Sequence, residues 1–573
     1  MRYLALACDY DGTIAHNGIV SDETIAALER VRSSGRKLIL VSGRELEDLQ
    51  KTFARLDLFD RAVLENGALL YTPATREEKV LGEHPPDGFV ALLKERGVEP
   101  ISVGRAIVAT WEPHENTVLQ TIRDLGLELQ VIFNKGAVMV LPSGVNKASG
   151  LAAALSDLKL SAHNTVGVGD AENDHAFLNL CECAVAVANA LPMLKERADW
   201  VTTGDHGNGV IELTEQLLDD DLSHLSATLS RYDILLGQRE NEAEVRLKPY
   251  GQNVLLAGSS QGGKTTTASG LIERLAEQQY QLCIFDPEGD YSELEYAVAL
   301  GDSNRVPSVD EVMELLATPE QNAVVNLLGV ALDHRPEFFA QLFPRLQELR
   351  SRTGRPHWIV IDETHHLLPR AWEAAALSFP QDVYGLLLIT LQPNHVATNV
   401  LTMVDTVIAI GEAADQTVRY FCEAIGEPVP SLTPTTLARG DALVWSRHEG
   451  QTASPPFWVR TTPSRGTRRR HQRKYAQGEL APEWSFYFRG PENKLNLRAQ
   501  NLITFLQLAD GVDEETWRYH LQRKEYSSWF REHIKDDGLA REAERIEADT
   551  NLSVQDSRLH IKEAITRRYT LPA

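Results

Sequence analysis

Two short motifs, each placed directly after an apolar run, most constrain how this chain can fold. The first is Asp9-Tyr10-Asp11-Gly12-Thr13, which follows Leu4-Ala5-Leu6-Ala7-Cys8. The second is Gly258-Ser259-Ser260-Gln261-Gly262-Gly263-Lys264-Thr265, which follows Asn253-Val254-Leu255-Leu256-Ala257. Such runs predict buried strands of an open α/β sheet, which binds its ligands at the carboxyl ends of the strands. With 573 residues, the chain is too long for one core, and the usual domain size of roughly 100–200 residues predicts three or four domains.

The first motif has three partners further along the chain. An apolar run, Lys37–Val41, leads to Ser42-Gly43-Arg44, and Asn146-Lys147 stands where a helix is predicted to begin. A third run leads into Val166-Gly167-Val168-Gly169-Asp170-Ala171-Glu172-Asn173-Asp174. In this order the four pieces resemble the four motifs of the haloacid dehalogenase superfamily. The resemblance covers residues 1–215.

The resemblance implies a phosphatase site built on carboxylates. Asp9 would attack phosphorus and form an aspartyl-phosphate, which divides one difficult displacement into two easier ones. Asp11 would protonate the leaving alkoxide and then activate water. Ser42 and Gly43 would contact the substrate phosphate, and Lys147 would hold phosphoryl oxygens and offset crowded negative charge. The implied Mg²⁺ ligands are Asp9, Asp11 through its carbonyl, Asp170 and Asp174.

The stretch between Ser42 and Lys147 is too long for a plain connection. Its pattern predicts strands at Ala106–Thr110, 127–134 and 137–141 and a helix over 114–125. We therefore expect a small α+β cap at about residues 75–145. A cap inserted here is similar to that of sugar-phosphate and related small-metabolite phosphatases. Because a lid excludes water and bulky substrates, a small phosphorylated substrate is expected.

The second motif has the strand and helix context of a nucleotide-binding P-loop. Backbone amides of the loop and of the helix start would hold phosphates, and Lys264 would reach the terminal ones. Thr265 would ligate Mg²⁺. A later apolar run, Trp358–Ile361, ends in Asp362-Glu363, where Asp362 would orient the Mg²⁺ shell and Glu363 would polarise the attacking water. The predicted ATP-binding residues are Gly258, Gly262, Gly263, Lys264, Thr265, Thr266, Asp362 and Gln392.

Further runs extend this pattern, namely Ile284–Tyr291, Leu386–Pro393 and Leu437–Leu443. With the P-loop they resemble the HerA/FtsK group of hexameric DNA-pumping ATPases, which implies a RecA-like domain over 236–459, a homo-oligomeric ring, and ATP and Mg²⁺ as cofactors. In that group Gln392 would sense the terminal phosphate. The family's Gln is often followed by Arg-Pro, whereas Gln392 precedes Pro393-Asn394-His395. The phosphatase also occupies the place of the usual amino-terminal barrel, so what the resemblance implies here is ATP hydrolysis and ring assembly rather than DNA translocation.

Such rings complete each nucleotide site with an arginine from a neighbouring subunit. The sequence leaves this role open among Arg370, Arg419 and Arg439.

The expected fold class is α/β. It comprises a Rossmann-like parallel sheet with an inserted α+β cap, a RecA-like P-loop domain, and a small, mainly helical domain at 481–573. Linkers are expected at 216–235 and, rich in arginine, at 460–480. A solvated linker is the first interpretation of the basic segment, and nucleic-acid contact is the alternative. The last domain shows a strand at Ser485–Phe488 and helices predicted over Leu497–Ala509, Glu514–Gln522 and Tyr526–Lys535.

Composition limits the partners. A net charge of -24 disfavours sequence-independent wrapping of nucleic acid, which needs clustered lysine and arginine, although a local basic channel stays open. The five cysteines are scattered, mostly within apolar runs, and are interpreted as reduced core thiols of a cytoplasmic protein. No stretch approaches the roughly 18 consecutive apolar residues of a membrane span, so no membrane partner is expected.

The leading hypothesis is a bifunctional enzyme, an Mg²⁺-dependent phosphomonoester hydrolase tied to a ring-forming ATPase. The alternative is a nucleic-acid machine that processes ends with kinase and phosphatase activities, translocates DNA, or defends against invading DNA. The adjacent Asp362-Glu363 pair favours hydrolysis of ATP over transfer to an acceptor, and the cap disfavours a polynucleotide at Asp9. A third hypothesis, a ring scaffold with a vestigial phosphatase, conflicts with the intact set of carboxylates.

Overall fold

The computed structural model describes residues 1–134, 136–258, 263–371, 383–432, 440–447, 455–464, 480, 484–534, 536–549 and 552–569. The chain divides into two compact units, Met1–Thr462 and Pro463–Ala573. The first unit holds two lobes, each built around its own large sheet.

The first lobe is an α/β sandwich with an inserted cap. Its strands are β1 (Ala5–Asp9), β2 (Lys37–Val41), β3 (Arg61–Leu64), β4 (Leu69–Thr72), β5 (Glu77–Val80), β6 (Ser102–Val103), β7 (Val108–Trp111), β8 (Leu129–Asn134), β9 (Ala137–Pro142), β10 (Thr165–Gly169), β11 (Cys183–Ala186) and β12 (Trp200–Val201). Its helices are α1 (Asp22–Ser33), α2 (Leu46–Thr52), α3 (Asp87–Glu95), α4 (Glu115–Asp124), α5 (Lys147–Asp157), α6 (His175–Leu180), α7 (Pro192–Lys195) and α8 (His206–Asp219).

Within the described residues, the main sheet has the strand order β12-β11-β10-β1-β2-β3-β4-β5. The strands from β12 to β3 are parallel, and β4 and β5 add an antiparallel edge. Every residue of β1 and β10 is buried, as expected where both faces of a parallel sheet are covered. The carboxyl ends of β1, β2 and β10 lie side by side and carry the predicted phosphatase residues.

The cap is a second, antiparallel sheet with the order β6-β7-β9-β8. Side chains of α3 and α4 pack with one face of this sheet around a small core that includes Phe89, Val118 and Val138. The predicted cap helix and strands are present within one to two residues of their predicted starts and ends. Residues 77–80, placed in the cap by the prediction, lie in the main sheet as β5.

The second lobe continues the chain. Its strands are β13 (Ile234–Gln238), β14 (Glu244–Leu247), β15 (Val254–Gly258), β16 (Leu282–Asp286), β17 (Val298–Leu300), β18 (Ala323–Asn326), β19 (Trp358–Ile361), β20 (Leu386–Thr390), β21 (Thr406–Ile410), β22 (Asp441–Ser446) and β23 (Phe457–Thr461). Its helices are α9 (Lys264–Glu277), α10 (Val309–Leu316), α11 (Arg335–Thr353), α12 (Thr364–Leu367), α13 (Thr398–Leu401) and α14 (Ala414–Ile425).

In the described part of this lobe the strand order is β14-β13-β23-β22-β21-β15-β20-β19-β16-β18-β17. The block from β21 to β17 is parallel. Strand β20 separates β15, which leads to the Gly258 motif, from β19, which leads to Asp362-Glu363. The segments that follow β15, β19 and β20 carry predicted nucleotide-site residues and therefore share one sheet edge.

The two lobes dock through the amino-terminal ends of their parallel strands. His163, just before β10, stacks on Tyr280, just before β16, with ring centroids 3.8 Å apart. Its Nε2 lies 2.7 Å from the Gln278 carbonyl oxygen. The hydroxyl of Tyr280 donates to Glu182, which precedes β11 (3.1 Å).

A second set of contacts joins β10 to β19. The side-chain oxygen of Asn164 lies 3.1 Å from His357 Nε2, and Arg355 donates to the Lys159 carbonyl oxygen (2.8 Å). Because Asn164 precedes β10 and His357 precedes β19, the two strands lead away from this seam in the two lobes. Strand β10 has five residues and β19 has four. At about 3.3 Å per residue, the two strands together are about 30 Å long. The candidate site residues of both lobes follow the carboxyl ends of these strands, away from the seam contacts.

The segment predicted as the first linker packs on the first lobe. Helix α8 continues to Asp219, and Leu222, Leu225 and Leu229 are buried in the first lobe's core. Of the predicted basic linker, residues 465–479 lie outside the described residues.

The second unit has a short hairpin, β24 (Phe486–Phe488) with β25 (Leu497–Ala499), followed by helices. The helices are Leu502–Gly511, Glu514–Gln522, Glu525–Glu532, Asp537–Ala548 and Val554–Tyr569. The predicted helix start at Leu497 is wrong, because residues 497–499 pair as β25. The helix begins only after Asn501, whose side chain accepts a hydrogen bond from Thr504 N (2.7 Å) and caps it.

None of the helices in the described part of the chain combines the length and the apolar character that crossing a bilayer requires.

Candidate active sites

Lys147 links two carboxylates at the centre of the first site. Its Nζ lies 2.5 Å from Asp9 Oδ1 and 2.6 Å from Asp174 Oδ1, and all three side chains are almost fully buried. Asp9 ends β1, and Lys147 begins α5, where Asn146 accepts from two amides of the first turn. The cap of this helix therefore sets the position of the lysine over the strand end.

A group of carboxylate oxygens beside this lysine can hold a cation. One oxygen each from Asp9, Asp170 and Asp174 lies within 4.8 Å of the others. Asp174 Oδ2 also accepts from the amides of Asp170 and Ala171 (both 2.9 Å), which fixes the loop after β10. Buried carboxylate oxygens are the donors that Mg²⁺ prefers. The residues fit such an ion.

Burial and mutual repulsion shape the protonation of this group. Burial raises the pKa of Asp9, the Asp174 carboxylate raises it further, and Lys147 only partly opposes them. Burial would lower the pKa of Lys147, but the carboxylates of Asp174 and Asp9 outweigh it and the net shift is upward. A cation held by these carboxylates would favour the ionised form of Asp9.

The carboxylate of Asp11 lies apart from these buried oxygens and pairs with Arg44. Arg44 Nε and Nη2 contact its two oxygens at 2.7 and 2.8 Å, a bidentate arrangement that fixes the carboxylate plane. The side chain of Asp11 is 42% exposed. Sequence reasoning placed Arg44 beside Ser42 and Gly43 but assigned it no contact, because the pair spans 33 positions.

Ser42 and Gly43 lie at the carboxyl end of β2, next to Asn66. Ser42 is 1% exposed, and a Cβ on Gly43 would come within 3.2 Å of the Asn66 amide. Asn66 Oδ1 in turn accepts from Asn173 Nδ2 (2.9 Å). The predicted phosphate-binding turn and the loop after β10 are thus connected through a residue that sequence reasoning missed.

The cap is held over this region by Glu65. Its carboxylate accepts from the amides of Arg105, Ala106 and Ile107 at 2.8, 2.9 and 3.2 Å, and the side chain is 1% exposed. Strand β8 of the cap lies against residues 172–174. The only sequence signal was Glu65-Asn66-Gly67, where an Asn-Gly pair marks a tight turn.

The second site brings three predicted residues together. Lys264 Nζ lies 2.9 Å from Glu363 Oε1, and both side chains are buried. Asp362 Oδ1 accepts from the Glu363 amide (2.9 Å), and Glu363 itself has a left-handed backbone (φ 39°). Burial, and next the Glu363 carboxylate, raise the pKa of Asp362 well above its ordinary value. An acid-rich pocket of this kind suits a bound cation.

Glycine is required at the start of this motif. Gly258 has φ 149°, and a Cβ there would come within 2.0 Å of the Ile410 carbonyl oxygen. Gly263 (φ 100°) begins α9 as its amino-terminal cap. Ser259–Gly262, including the predicted Gly262, lie outside the described residues.

The remaining predicted residues are placed but make fewer contacts. Thr265 and Gln392 are exposed, and Thr266 is half-buried. Gln392 follows β20 and so shares the edge with Lys264. Of the candidate arginines, Arg370 and Arg419 are exposed, and Arg439 lies outside the described residues.

Comparisons with known proteins fall on the first lobe. Residues 6–101 and 107–213 match the family model of haloacid dehalogenase-like hydrolases. The phosphoglycolate phosphatase of Methanothermobacter thermautotrophicus is 30% identical over 223 residues, covering 37% of this chain and 98% of that protein. Phosphoglycolate phosphatase 2 of Saccharolobus solfataricus is 30% identical over 221 residues, covering 38% of this chain and 92% of that protein. A solved haloacid dehalogenase-like hydrolase from Bacteroides thetaiotaomicron aligns with 17% identity and a TM-score of 0.33, covering 38% of this chain and 99% of that chain.

Proposed function

Because the chain belongs, through residues 6–213, to the haloacid dehalogenase-like hydrolases, we propose that its first lobe hydrolyses small phosphomonoesters with Asp9 as nucleophile. The observation that carries the proposal is the buried contact of Lys147 with Asp9 and Asp174. It holds the attacking oxygen at the strand end and balances charge where a phosphate must enter.

The reaction proceeds in two displacements. An Asp9 oxygen attacks phosphorus, the bond to the leaving oxygen breaks, and Asp11 gives that oxygen a proton. Asp11 then takes a proton from water, which attacks the aspartyl-phosphate and releases phosphate and Asp9. Ser42 and Gly43 hold phosphoryl oxygens during both steps. A divalent cation held by Asp9, Asp170 and Asp174 supplies the positive charge that lets a phosphate dianion approach the carboxylate.

The cap supports a small substrate, since the Glu65 contacts hold it over the strand ends. Phosphoglycolate is the first compound to test, because the related archaeal proteins are named for it. Asp9→Asn should abolish phosphate release from phosphoglycolate or any other phosphomonoester that the wild type accepts. Asp57→Asn, at a position in the same lobe with a 64% exposed side chain, is the matched control. Unchanged turnover in Asp9→Asn would exclude the mechanism.

For the second lobe we propose Mg²⁺-dependent ATP hydrolysis. The supporting observations are the buried Lys264–Glu363 contact and the shared edge of β15, β20 and β19. With nucleotide bound, Lys264 would exchange Glu363 for a terminal phosphate, and Glu363 would be released to polarise water. ATP turnover that persists in Asp9→Asn but is lost in Glu363→Gln would separate the two activities.

We propose further that this lobe assembles into a ring, with a hexamer as the expected state. The exposed positions of Arg370 and Arg419 suit a residue offered to a neighbour's site. Sedimentation should then show assembly with ATP and Mg²⁺, and admixed Glu363→Gln subunits should lower wild-type turnover by more than their share. A fully active monomer at micromolar protein would refute the ring.

Nucleic-acid end processing is the competing proposal, with kinase and phosphatase acting on one end. The docking of the lobes through their amino-terminal strand ends weighs against it, because the proposed site residues follow the other, carboxyl ends of these strands in both lobes. One bound end cannot reach both sites of a chain at once. Release of phosphate from a 5′-phosphorylated or 3′-phosphorylated oligonucleotide faster than from small esters would favour this alternative.

A further inference from the structure

Two side chains from distant parts of the first lobe hold one carbonyl group of the nucleophile loop. The Gly12 carbonyl oxygen accepts from Asn189 Nδ2 (2.8 Å) and faces His206 Nδ1 (2.9 Å). A carbonyl oxygen only accepts, so His206 Nδ1 carries the hydrogen. The partners are 177 and 194 positions from Gly12. Neither has a role in the two displacements described above.

The two side chains also fix one another. Asn189 Oδ1 accepts from the backbone amide of His206 (2.7 Å). Both the nitrogen and the oxygen of the Asn189 side-chain amide are therefore hydrogen-bonded. His206 has a left-handed backbone, with φ 45°, which costs free energy in a residue other than glycine or asparagine. The ring of His16 stands edge-on to that of His206, with centroids 4.3 Å apart. The arrangement is a built clamp on the Gly12 carbonyl group.

Gly12 is the residue through which this clamp reaches the chemistry. It has φ 93°, and a Cβ there would come within 2.3 Å of Asp170 Oδ2. It directly follows Asp11, whose carboxylate is held on its other side by Arg44. Backbone hydrogen bonds from Gly12 N to the Ala15 carbonyl oxygen (3.0 Å) and from Ala15 N to the Tyr10 carbonyl oxygen (2.9 Å) hold the inner side of this turn. The clamp adds the side-chain contacts that hold the Gly12 carbonyl group itself. A loose turn would leave Asp11 free to shift relative to the leaving oxygen.

We infer that Asn189 and His206 are positioning residues for proton transfer by Asp11, acting through the Gly12 carbonyl group. The inference rests on the proposed roles of Asp9 and Asp11. A displacement of about 1 Å at a reacting group can cost on the order of 100-fold in rate. The loss should fall on substrates whose leaving oxygen needs a proton. It should spare 4-nitrophenyl phosphate, whose leaving group departs without one.

Two variants at His206 and a control elsewhere separate the hydrogen bond from the backbone strain. His206→Gly accepts the left-handed backbone and removes the donor. His206→Asn accepts the same backbone and keeps a side-chain amide that can donate to Gly12. His224→Asn is the control, because His224 lies in the same lobe with a 41% exposed side chain. Circular dichroism and the thermal midpoint should be alike in all three.

The measurement is kcat/KM for phosphoglycolate, or for another alkyl phosphate that the wild type accepts, relative to 4-nitrophenyl phosphate. We expect His206→Gly to lower this ratio by about 10-fold or more, and His206→Asn to restore it to within about 3-fold of wild type. Asn189→Ala should lower the ratio in the same direction. The inference is overturned if both substrates lose the same factor, if neither does, or if His206→Asn behaves like His206→Gly.

Failure of the proposed function would look different. If Asp9→Asn still releases phosphate, the nucleophile is misassigned, whatever the His206 variants do. If Asp9→Asn is inactive and the ratio is unchanged in His206→Gly, only the positioning role is lost.

Discussion

Replacing Glu182 by glutamine tests whether the two lobes form one thermodynamic unit. Glu182 is 4% exposed, and its Oε1 accepts from Arg2 (2.6 Å). Its Oε2 accepts from the Tyr280 hydroxyl (3.1 Å) and lies 2.7 Å from His163 Nδ1. Tyr280 belongs to the second lobe, so one carboxylate joins the core of one lobe to the other. Glutamine keeps the shape and removes the charge.

The expected loss in the free energy of unfolding follows from the buried Arg2 charge that the substitution leaves in place. Arg2 is 6% exposed and would keep its charge without its partner. Breaking a buried ion pair in this way costs about 3–5 kcal/mol. At about 1 °C per kcal/mol for a cooperative unit as large as Met1–Thr462, the thermal midpoint should fall by about 3–5 °C. Glu215→Gln is the control, since that side chain is 58% exposed and 3.7 Å from Arg30, and it should change stability by at most about 1 kcal/mol.

The assay is thermal unfolding of the full chain followed by circular dichroism and tryptophan fluorescence. In Glu182→Gln the thermal midpoints of both lobes should fall by the same amount. Both enzymatic activities should be lost at this lowered midpoint. A midpoint within about 2 °C of wild type would refute the reasoning, because it would mean that the seam contributes little. A drop confined to one lobe would show that the lobes unfold independently.

The same residue makes a prediction about pH. Burial alone would raise the pKa of Glu182, but hydrogen bonding with His163 and the charges of His163 and Arg2 outweigh it and the pKa lies below its ordinary 4.5. A carboxylate with a lowered folded-state pKa stabilises the fold above the unfolded pKa and loses this effect as pH falls through the folded value. The midpoint difference between wild type and Glu182→Gln should therefore be full at neutral pH and shrink below about pH 4.5.

Three further outcomes are expected. Lys264→Ala should weaken ATP binding, measured by titration with a fluorescent nucleotide, whereas Glu363→Gln should keep ATP bound and stop its cleavage; normal hydrolysis in Glu363→Gln would remove its role. Glu65→Ala removes the acceptor of three cap amides, and each unsatisfied amide costs about 1–3 kcal/mol of stability. Hydrogen exchange at residues 105–107 should therefore accelerate, and kcat/KM of the phosphatase should fall. Unchanged protection of these amides would mean that other contacts hold the cap. Removing divalent cations with EDTA should abolish phosphatase turnover, and Mg²⁺ should restore it, because the Asp9 carboxylate otherwise repels a phosphate dianion; full activity in EDTA would contradict this.

The sequence by itself determined the local parts of both sites. Asp9, Ser42 and Asp170 follow apolar runs that are buried strands, and their places at the strand ends could be predicted because a run and the turn after it are neighbours in the chain. The same holds for Lys264 and Glu363, whose side chains meet at 2.9 Å. The helix start at Leu502 could not be read from apolar spacing, because the Asn501 cap and the β25 pairing decide it.

Tertiary structure alone decided the contacts between distant segments. Arg44 on Asp11, Glu65 on the cap amides and the clamp of Asn189 and His206 on Gly12 each join residues that no local pattern relates. The docking of the lobes is of the same kind, since His163 of the first lobe is 6% exposed and contacts Gln278 and Tyr280 of the second. Strand and turn propensities act over a few residues, whereas these contacts depend on which strand ends and loops the folded sheets bring together.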